Sequence, residues 1–399
     1  MAKYALMNPG KYHLGVPFSF PPIQNRTYQE EDAIRKISWK TSVLINRKIY
    51  VGNVKIEYKD GKEKTLSDSI FKSKPNQFDT FNLDSRIDVA VGDGEDIVRL
   101  AGYADRLLQY KQNTLHIINV QKQGEFLEAT HKFKGVSHHN AVCEFDYGIV
   151  WCNAHGVYMY DGEMVNELFL KEGVRTVSEE TWSAFYKEGE TMVGYVPNAK
   201  QLLFIKGVTG ADSGDVMLYD IISQSFVKGT ARLGITDKTN LVNMWDNQLI
   251  HGFETSNNSG TITVVPWKTS PSEDVDNYLV QTKDINFGTE SKKKISKVRI
   301  TYKGGNGPND NGTDVTTKVL PKYSINGGDF EHSFQDDAGA TITDIPGSVN
   351  WTEIELYTNS NANNVRTFSI QLTDASGQNV VSGFEINDIT IIFRGKSIK

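Results

Sequence analysis

A pair of short apolar strands around a polar turn recurs along the first two thirds of this 399-residue chain. The clearest copy is RLLQYKQNTLHIINV, Arg106 to Val120, with apolar residues at Leu107, Leu108, Tyr110, Leu115, Ile117, Ile118 and Val120. Other copies are NRKIYVGNVKI from Asn46, DYGIVWCNAHGVYMYDG from Asp146, NAKQLLFIKG continuing to GDVMLYDIISQSFV from Asn198, and WDNQLIHGFETSNNSGTITVV from Trp245. Their first strands begin near residues 49, 107, 149, 202 and 249, which gives separations of 58, 42, 53 and 47. A period near 50 residues lies in the range of four-stranded propeller blades, each burying its face against the next. In MLYDIISQSFV, Tyr219 is expected to pack between blades and Asp220 to start a turn. One large sandwich of meandering hairpins is the alternative arrangement.

Strand signals dominate elsewhere too, as runs of Val, Ile, Tyr, Phe and Thr bounded by Gly, Asn and Asp. Two segments read as helix. Tyr28 to Lys36 carries acids early and bases late, and Ser178 to Tyr186 opens with a Ser and Glu suited to an N-cap. Composition shifts at KTSPSEDVDN, Lys268 to Asn277, which reads as a linker or long loop. Beyond it KKKISKVRITYKG, TKVLPKYSINGGDF, WTEIELYT, RTFSIQLTD and FEINDITIIFRG alternate as strands of a separate β-sandwich. The expected fold is all-β: an N-terminal arm over 1–40, a β-propeller-like domain of about five or more blade units over 41–267, a linker over 268–285, and a C-terminal β-sandwich over 286–399.

A formal charge of −6, spread along the chain without a dense Lys/Arg cluster, argues against sequence-reading of DNA. No apolar run reaches signal-peptide or membrane-spanning length, so synthesis and folding in a cytosol, without membrane insertion, are expected. Cys143 and Cys152 are too few for a disulfide framework and read as core thiols. With His138, His139 and His155 they form HH-x3-C-x8-C-x2-H, but the recurring C-x2-4-C spacing of structural zinc is missing.

Catalytic, cofactor-binding and metal-binding residues are all expected to be none. There is no G-x-S-x-G or H-E-x-x-H, and GDGED at Gly92 to Asp96 lacks the Lys-Ser/Thr of a phosphate loop. Asp93, between two glycines, is expected to form an Asx-type turn. YSINGGDF, Tyr323 to Phe330, is close to an Asp-box turn but has Asn326 in place of the Asp and reads as a hairpin turn with positive φ. Lys292 to Lys294 reads as a lysine block at a sheet edge that opposes edge-to-edge pairing.

The ordered series NRKIYVGNVK, SKPNQFDTF, VAVGDGEDIVRLAGYADRLLQYKQNTLHIINV and KGVSHHNAVCEFDYGIVWCNAHGVYMYDG resembles the propeller segment of phage tail nozzle proteins. These are of the tail tubular protein B type in short-tailed phages, with the related packaged-DNA stabilisation proteins. The resemblance covers roughly residues 45 to 162, and the closing FEINDITIIFRGKSIK is similar to the ends of structural proteins from the same group. The resemblance implies a structural virion protein, synthesised in the host cytoplasm and located in the tail. It would form part of the channel wall that retains and then releases packaged DNA. Implied partners are copies of itself in a ring of six, other tail or portal-adaptor proteins, and DNA in transient non-specific proximity. A mildly acidic wall would repel phosphate and let DNA pass.

Two other readings stay open. A glycan-binding or glycan-cleaving propeller would use exposed aromatics, for which Trp151, Trp182, Trp245 and Trp267 are the candidates. A scaffold propeller would bind a protein through its rim. In every reading Leu107, Leu115 and Ile117 are expected in the core.

Overall fold

The computed structural model describes residues 34–121, 124–206, 214–229, 237–254, 262–267, 278–304, 306–308, 314–316, 319–374 and 384–396. The chain forms two compact units, residues 1–267 and 268–399. The protein is all-β, a β-propeller-like unit followed by a β-sandwich.

In the first unit, five successive antiparallel sheets follow chain order among the described residues. Sheet one holds β1 (Ile34–Ile45), β2 (Lys48–Tyr58), β3 (Glu63–Lys74) and β4 (Gln77–Asp88). Sheet two holds β5 (Arg99–Tyr103), β6 (Arg106–Tyr110), β7 (Thr114–Asn119) and β8 (Phe126–Lys132). Sheet three holds β9 (Val142–Phe145), β10 (Gly148–Asn153), β11 (Gly156–Tyr160) and β12 (Val165–Glu167). A small hairpin of β13 (Leu170–Lys171) and β14 (Val174–Arg175) and the helix α1 (Glu179–Phe185) lead to sheet four. That sheet holds β15 (Met192–Val196), β16 (Gln201–Ile205), β17 (Val216–Asp220) and β18 (Ser225–Gly229). Sheet five has β19 (Asp237–Asn243), β20 (Leu249–Glu254) and β21 (Ile262–Pro266).

The recurring strands that begin near 49, 107, 149, 202 and 249 are the second strands of their sheets, β2, β6, β10, β16 and β20. A second strand has a neighbour on each side, and its faces are covered by the sheets before and after. It reads as an almost unbroken apolar run for that reason. β6 and β7 are buried nearly throughout, with Leu107 and Leu115 at 0 % and Ile117 at 4 % exposure, whereas the outer β8 is mostly exposed.

Apolar clusters join each sheet to the next. Ile45, Tyr50 and Ile70 meet Leu100, Leu107 and Ile118 between sheets one and two. A larger cluster runs from Leu108 and Tyr110 through Trp151 and Trp182 to Phe204 and Tyr219. Leu203, Ile205 and Val216 meet Leu249 between sheets four and five. Polar links reinforce the packing: the Leu100 N–H donates to Thr41 Oγ1 at 2.9 Å, and Asn53 Nδ2 to the Ile97 carbonyl at 3.0 Å. The β1–β2 turn, Asn46 and Arg47 at φ 49° and 60°, sends Asn46 Nδ2 to Asp105 Oδ1 in the β5–β6 turn at 2.9 Å.

The GDGED loop closes over the β6–β7 turn. Asp93 Oδ1 accepts from the Glu95 N–H at 3.1 Å, the expected Asx turn. Its carboxylate also meets Lys111 Nζ at 2.7 Å, while Glu95 accepts from the Asn113 side chain at 2.5 Å. Lys111 Nζ donates further to the Ala90 carbonyl at 2.7 Å. Gly135 lies against the other side of the turn, where a Cβ would come within 2.3 Å of the Lys111 carbonyl oxygen.

In the second unit, one sheet runs β22 (Leu279–Gln281), β30 (Phe368–Asp374), β26 (Val319–Ile325), β27 (His332–Ser333). The other places β23 (Lys293–Gly304) between β31 (Glu385–Gly395) on one side and β28 (Ser348–Tyr357) with β29 (Asn363–Val365) on the other. A short hairpin of β24 (Asn306–Pro308) and β25 (Asp314–Thr316) follows β23. Ile295, Val298, Ile300 and Tyr302 from β23 face Tyr323, Phe368, Ile370 and Leu372 from the opposite sheet.

The expected helix at Ser178–Tyr186 forms as α1, with Ser178 Oγ accepting from the Thr181 N–H at 3.2 Å. Tyr219 is buried, and Asp220 Oδ1 accepts from the Ser223 N–H at 2.7 Å to start its turn. YSINGGDF forms a hairpin turn with Asn326 and Gly327 at φ 55° and 72°.

Three expectations are corrected. The last residues of the expected arm, Ile34 to Lys40, are strand β1, and with them the end of the helix read at Tyr28–Lys36; residues 28–33 lie outside the described residues. Alternation of Ile37, Trp39, Thr41 and Val43 against β2 outweighs the charge pattern that suggested a helix. The linker expected over 268–285 contains β22, which pairs with β30, and Ile285 bridges to Phe368. Lys292–Lys294 do not lie at a sheet edge: β23 is central, and Lys293 is 0 % exposed. Its Nζ donates to the carbonyls of Thr289, Ser291 and Arg366 at 2.5, 2.8 and 3.1 Å, which satisfies all three ammonium donors.

Candidate functional site

The first strands β5, β9, β15 and β19 of four successive sheets converge on a cavity of about 380 Å³. Convergence of first strands on a common axis follows from meandering sheets packed face to face, so the cavity is where such a fold can hold a ligand. Arg99 comes from β5, Val142, Cys143 and Glu144 from β9, Met192 and Tyr195 from β15, and Leu241 and Asn243 from β19. Asn140, on the short 3₁₀ turn before β9, completes a polar corner.

Arg99 and Glu144 dominate the electrostatics. Arg99 Nη2 stands 3.9 Å from Glu144 Oε1, and Nη1 donates to the His139 carbonyl at 3.4 Å. The cavity walls push the Glu144 carboxyl above its ordinary range, opposed by Arg99 and by the Gly102 N–H. Burial, and next to it the Arg99 charge, lower the His139 imidazole. The Cys143 thiol is pushed up to about 12 by burial and stays protonated at neutral pH, so it is a poor nucleophile. The arrangement offers one cation, one weakly acidic carboxyl and amide groups, a set that holds a ligand by hydrogen bonds and charge.

The zinc-like residues are not brought together. Cys143 sits on β9 opposite Val150, and Cys152 is buried in the sheet-three core. His138 hydrogen-bonds Ser137, and His155 lies edge-on to Phe133 at 5.7 Å. Among the described residues no group of three or more His, Cys, Asp or Glu side chains is placed to hold a metal ion, and no helix is long and apolar enough to cross a membrane. Trp151 and Trp182 are fully packed, donating to the Lys134 and Asn153 carbonyls at 2.9 and 2.8 Å. Trp267 is half-buried beside Leu203 and Leu249, while Trp245 stands 91 % exposed on the β19–β20 turn. The cavity residues carried no sequence signal, because an Arg at the head of one strand and a Glu inside another meet only through the packing of two sheets.

No protein-family model matches the chain, and no curated protein matches it. Among solved structures it is similar to YCF48 bound to D1 peptide, at 6 % identity and a TM-score of 0.35 over 57 % of this chain and 63 % of that one. It is similar to Kuenenia stuttgartiensis hydrazine synthase, at 12 % identity and a TM-score of 0.32 over 54 % of this chain and 56 % of that one. A third is the WD40 domain of SCAP from fission yeast, at 8 % identity and a TM-score of 0.28 over 86 % of this chain and 96 % of that one. The chain thus spans less than two thirds of the first two.

Proposed function

We propose that this chain is a structural subunit of the tail of a short-tailed phage, a nozzle or related component of the wall around the DNA channel. The observation that carries the reading is the destination of the motif polar residues. In the segments that resemble nozzle proteins, Asp93, Glu95, Lys111, Asn113 and Asn153 are spent on one another or on nearby backbone. Side chains used in this way stiffen a wall. The formal charge of −6 supports the same reading, since a mildly acidic body does not retain a passing polyanion.

The test is immunogold negative-stain imaging of purified virions with an antibody against the C-terminal sandwich. Label in a ring at the tail vertex is the expected result. Absence of the chain from virions, or a strongly basic channel in the assembled tail, would overturn it. A second reading, docking of a protein partner on the propeller rim, rests on Met244 and Trp245, 40 % and 91 % exposed at the β19–β20 tip. Quenching of Trp245 fluorescence by tail proteins, absent in Trp245→Ala, would favour it.

A further inference from the structure

We propose that the outer edge of β31 pairs antiparallel with the same edge of a second copy of this chain, forming a two-fold dimer through the sandwich. β31 is the border of its sheet: it pairs with β23 on one side, and among the described residues no strand pairs with its other side. A long strand left in this way presents a row of unused N–H and C=O groups. From Asp388 to Gly395 it contains neither Pro nor Lys, the residues that usually blunt an edge; its own extra residue, Asn387, lies before Asp388, and at the ladder's other irregularity, opposite Ile392 and Phe393, the extra residue is Ser296 on β23.

The edge is also incompletely covered. Ile386, Ile389 and Ile391 point to the core but remain only partly buried, and Phe393 is 42 % exposed although its ring lies tilted against Phe287, with centroids 4.3 Å apart. A second sheet continuing past β31 would cover these residues.

Charge sets the register. Arg394 lies opposite Lys294 on β23, a like-charge neighbour, and no carboxylate among the described residues pairs with it. Asp388 is exposed on the same face, its carboxyl held below the ordinary range by hydrogen bonds from Thr301 and Thr390. Centring the two-fold on Ile391 puts each Asp388 opposite the other copy's Arg394 and each Ile389 opposite Phe393. Thr390 then meets Ile392, so every pair stays on its own face. Centring on Thr390 instead would place Asp388 against Ile392 and leave Arg394 without a carboxylate.

The pairing is a property of the sandwich and holds whether or not the chain belongs to a phage tail. A two-fold contact joins chains in pairs without closing a ring, so a ring would need a different surface as well.

The test is sedimentation equilibrium of the full chain over a wide concentration range. A dimer is expected. Asp388→Arg and Arg394→Asp should each weaken it at least about tenfold, because both symmetry-related pairs become repulsive. The double variant Asp388→Arg/Arg394→Asp should restore it. Arg394→Gln, which removes charge without reversing it, should give an intermediate loss. Both positions are exposed, and unchanged far-ultraviolet circular dichroism, with equal melting temperatures at dilutions where wild type and variants are all monomeric, would verify the fold. A monomeric wild type, an assembly whose mass ignores both reversals, or a double variant no tighter than the singles would overturn the proposal.

Discussion

Lys111, with a side chain at 0 % exposure, holds both carboxylate oxygens of Asp93 at 2.7 Å across the join between the first and second sheets. Burial alone would raise the Asp93 carboxyl. The hydrogen bonds from Lys111 and the Glu95 N–H outweigh it and hold the group below its ordinary range. The two partners differ in what they can do when left alone: Asp93 is one third exposed and can take up water, whereas Lys111 cannot.

Asp93→Ala should therefore cost more stability than Lys111→Met. Removing the carboxylate leaves a buried ammonium with the Ala90 carbonyl as its remaining acceptor. The loss should be about 3 kcal/mol, at the low end for a broken buried pair because Asp93 is one third exposed. The methionine fills the lysine's volume and should cost less than half of that. Urea midpoints of the two variants check the order. Equal midpoints would mean that the clasp adds nothing beyond packing.

Two substitutions should weaken the second sheet for different reasons. Leu107→Ala removes a fully buried side chain and should cost about 2–5 kcal/mol. Gly135→Ala places a methyl against backbone, with the Lys111 carbonyl oxygen at 2.3 Å and the Thr114 nitrogen at 2.6 Å. That turn must shift, so the variant should unfold at lower urea even though it adds apolar area. An unchanged midpoint in Gly135→Ala would show that the turn yields freely.

Acid should act through His138, whose imidazole is pushed down to about 4 by burial and then by the neighbouring His139. The unfolded chain takes up this proton near the ordinary histidine value of 6.5, and the folded chain only near 4. The contribution is complete above pH 6.5 and is lost as pH falls toward 4. His138→Gln should lose less stability across that window than the wild type does. Parallel stability curves for the two proteins would contradict this.

The two thiols should be inert in the folded protein. Burial pushes the Cys143 thiol up to about 12 and raises Cys152 as well, so little thiolate is available at pH 8. A disulfide reagent should label neither in buffer and both in denaturant. Cys143 is partly exposed at the cavity, so its rapid labelling in buffer would show that the thiol ionises there despite its surroundings.

The hairpins could be read from the sequence because each is local: the apolar residues of β6 and β7 lie within fifteen residues, and the turn Lys111–Asn113 separates them. α1 was readable for a similar reason, since its cap and first acids adjoin. Lys293 was not. A lysine next to two others looks like a surface residue, and the carbonyl of Arg366 that helps bury it lies 73 positions away. Lys111 was hidden in the same way, because its motif showed a turn but not what would close over it. β1 was missed because Lys36 and Lys40 on its exposed face obscure the inward alternation of Ile37, Trp39 and Thr41. The cavity could not be read at all, since its lining comes from four sheets whose order in space is a tertiary result.

The chain-order strand pairing of the first unit bears on how the protein is made. Each meander can zip soon after its own residues leave the ribosome, because its partners are sequence neighbours. The sandwich has no such freedom. Leu279 pairs with Thr373, and Lys293 with Gly395, so its two sheets wait for strands synthesised roughly a hundred residues later. Synthesis thus yields a growing stack of sheets first and the sandwich last, and a ribosome stalled before residue 385 would leave β23 without its β31 partner.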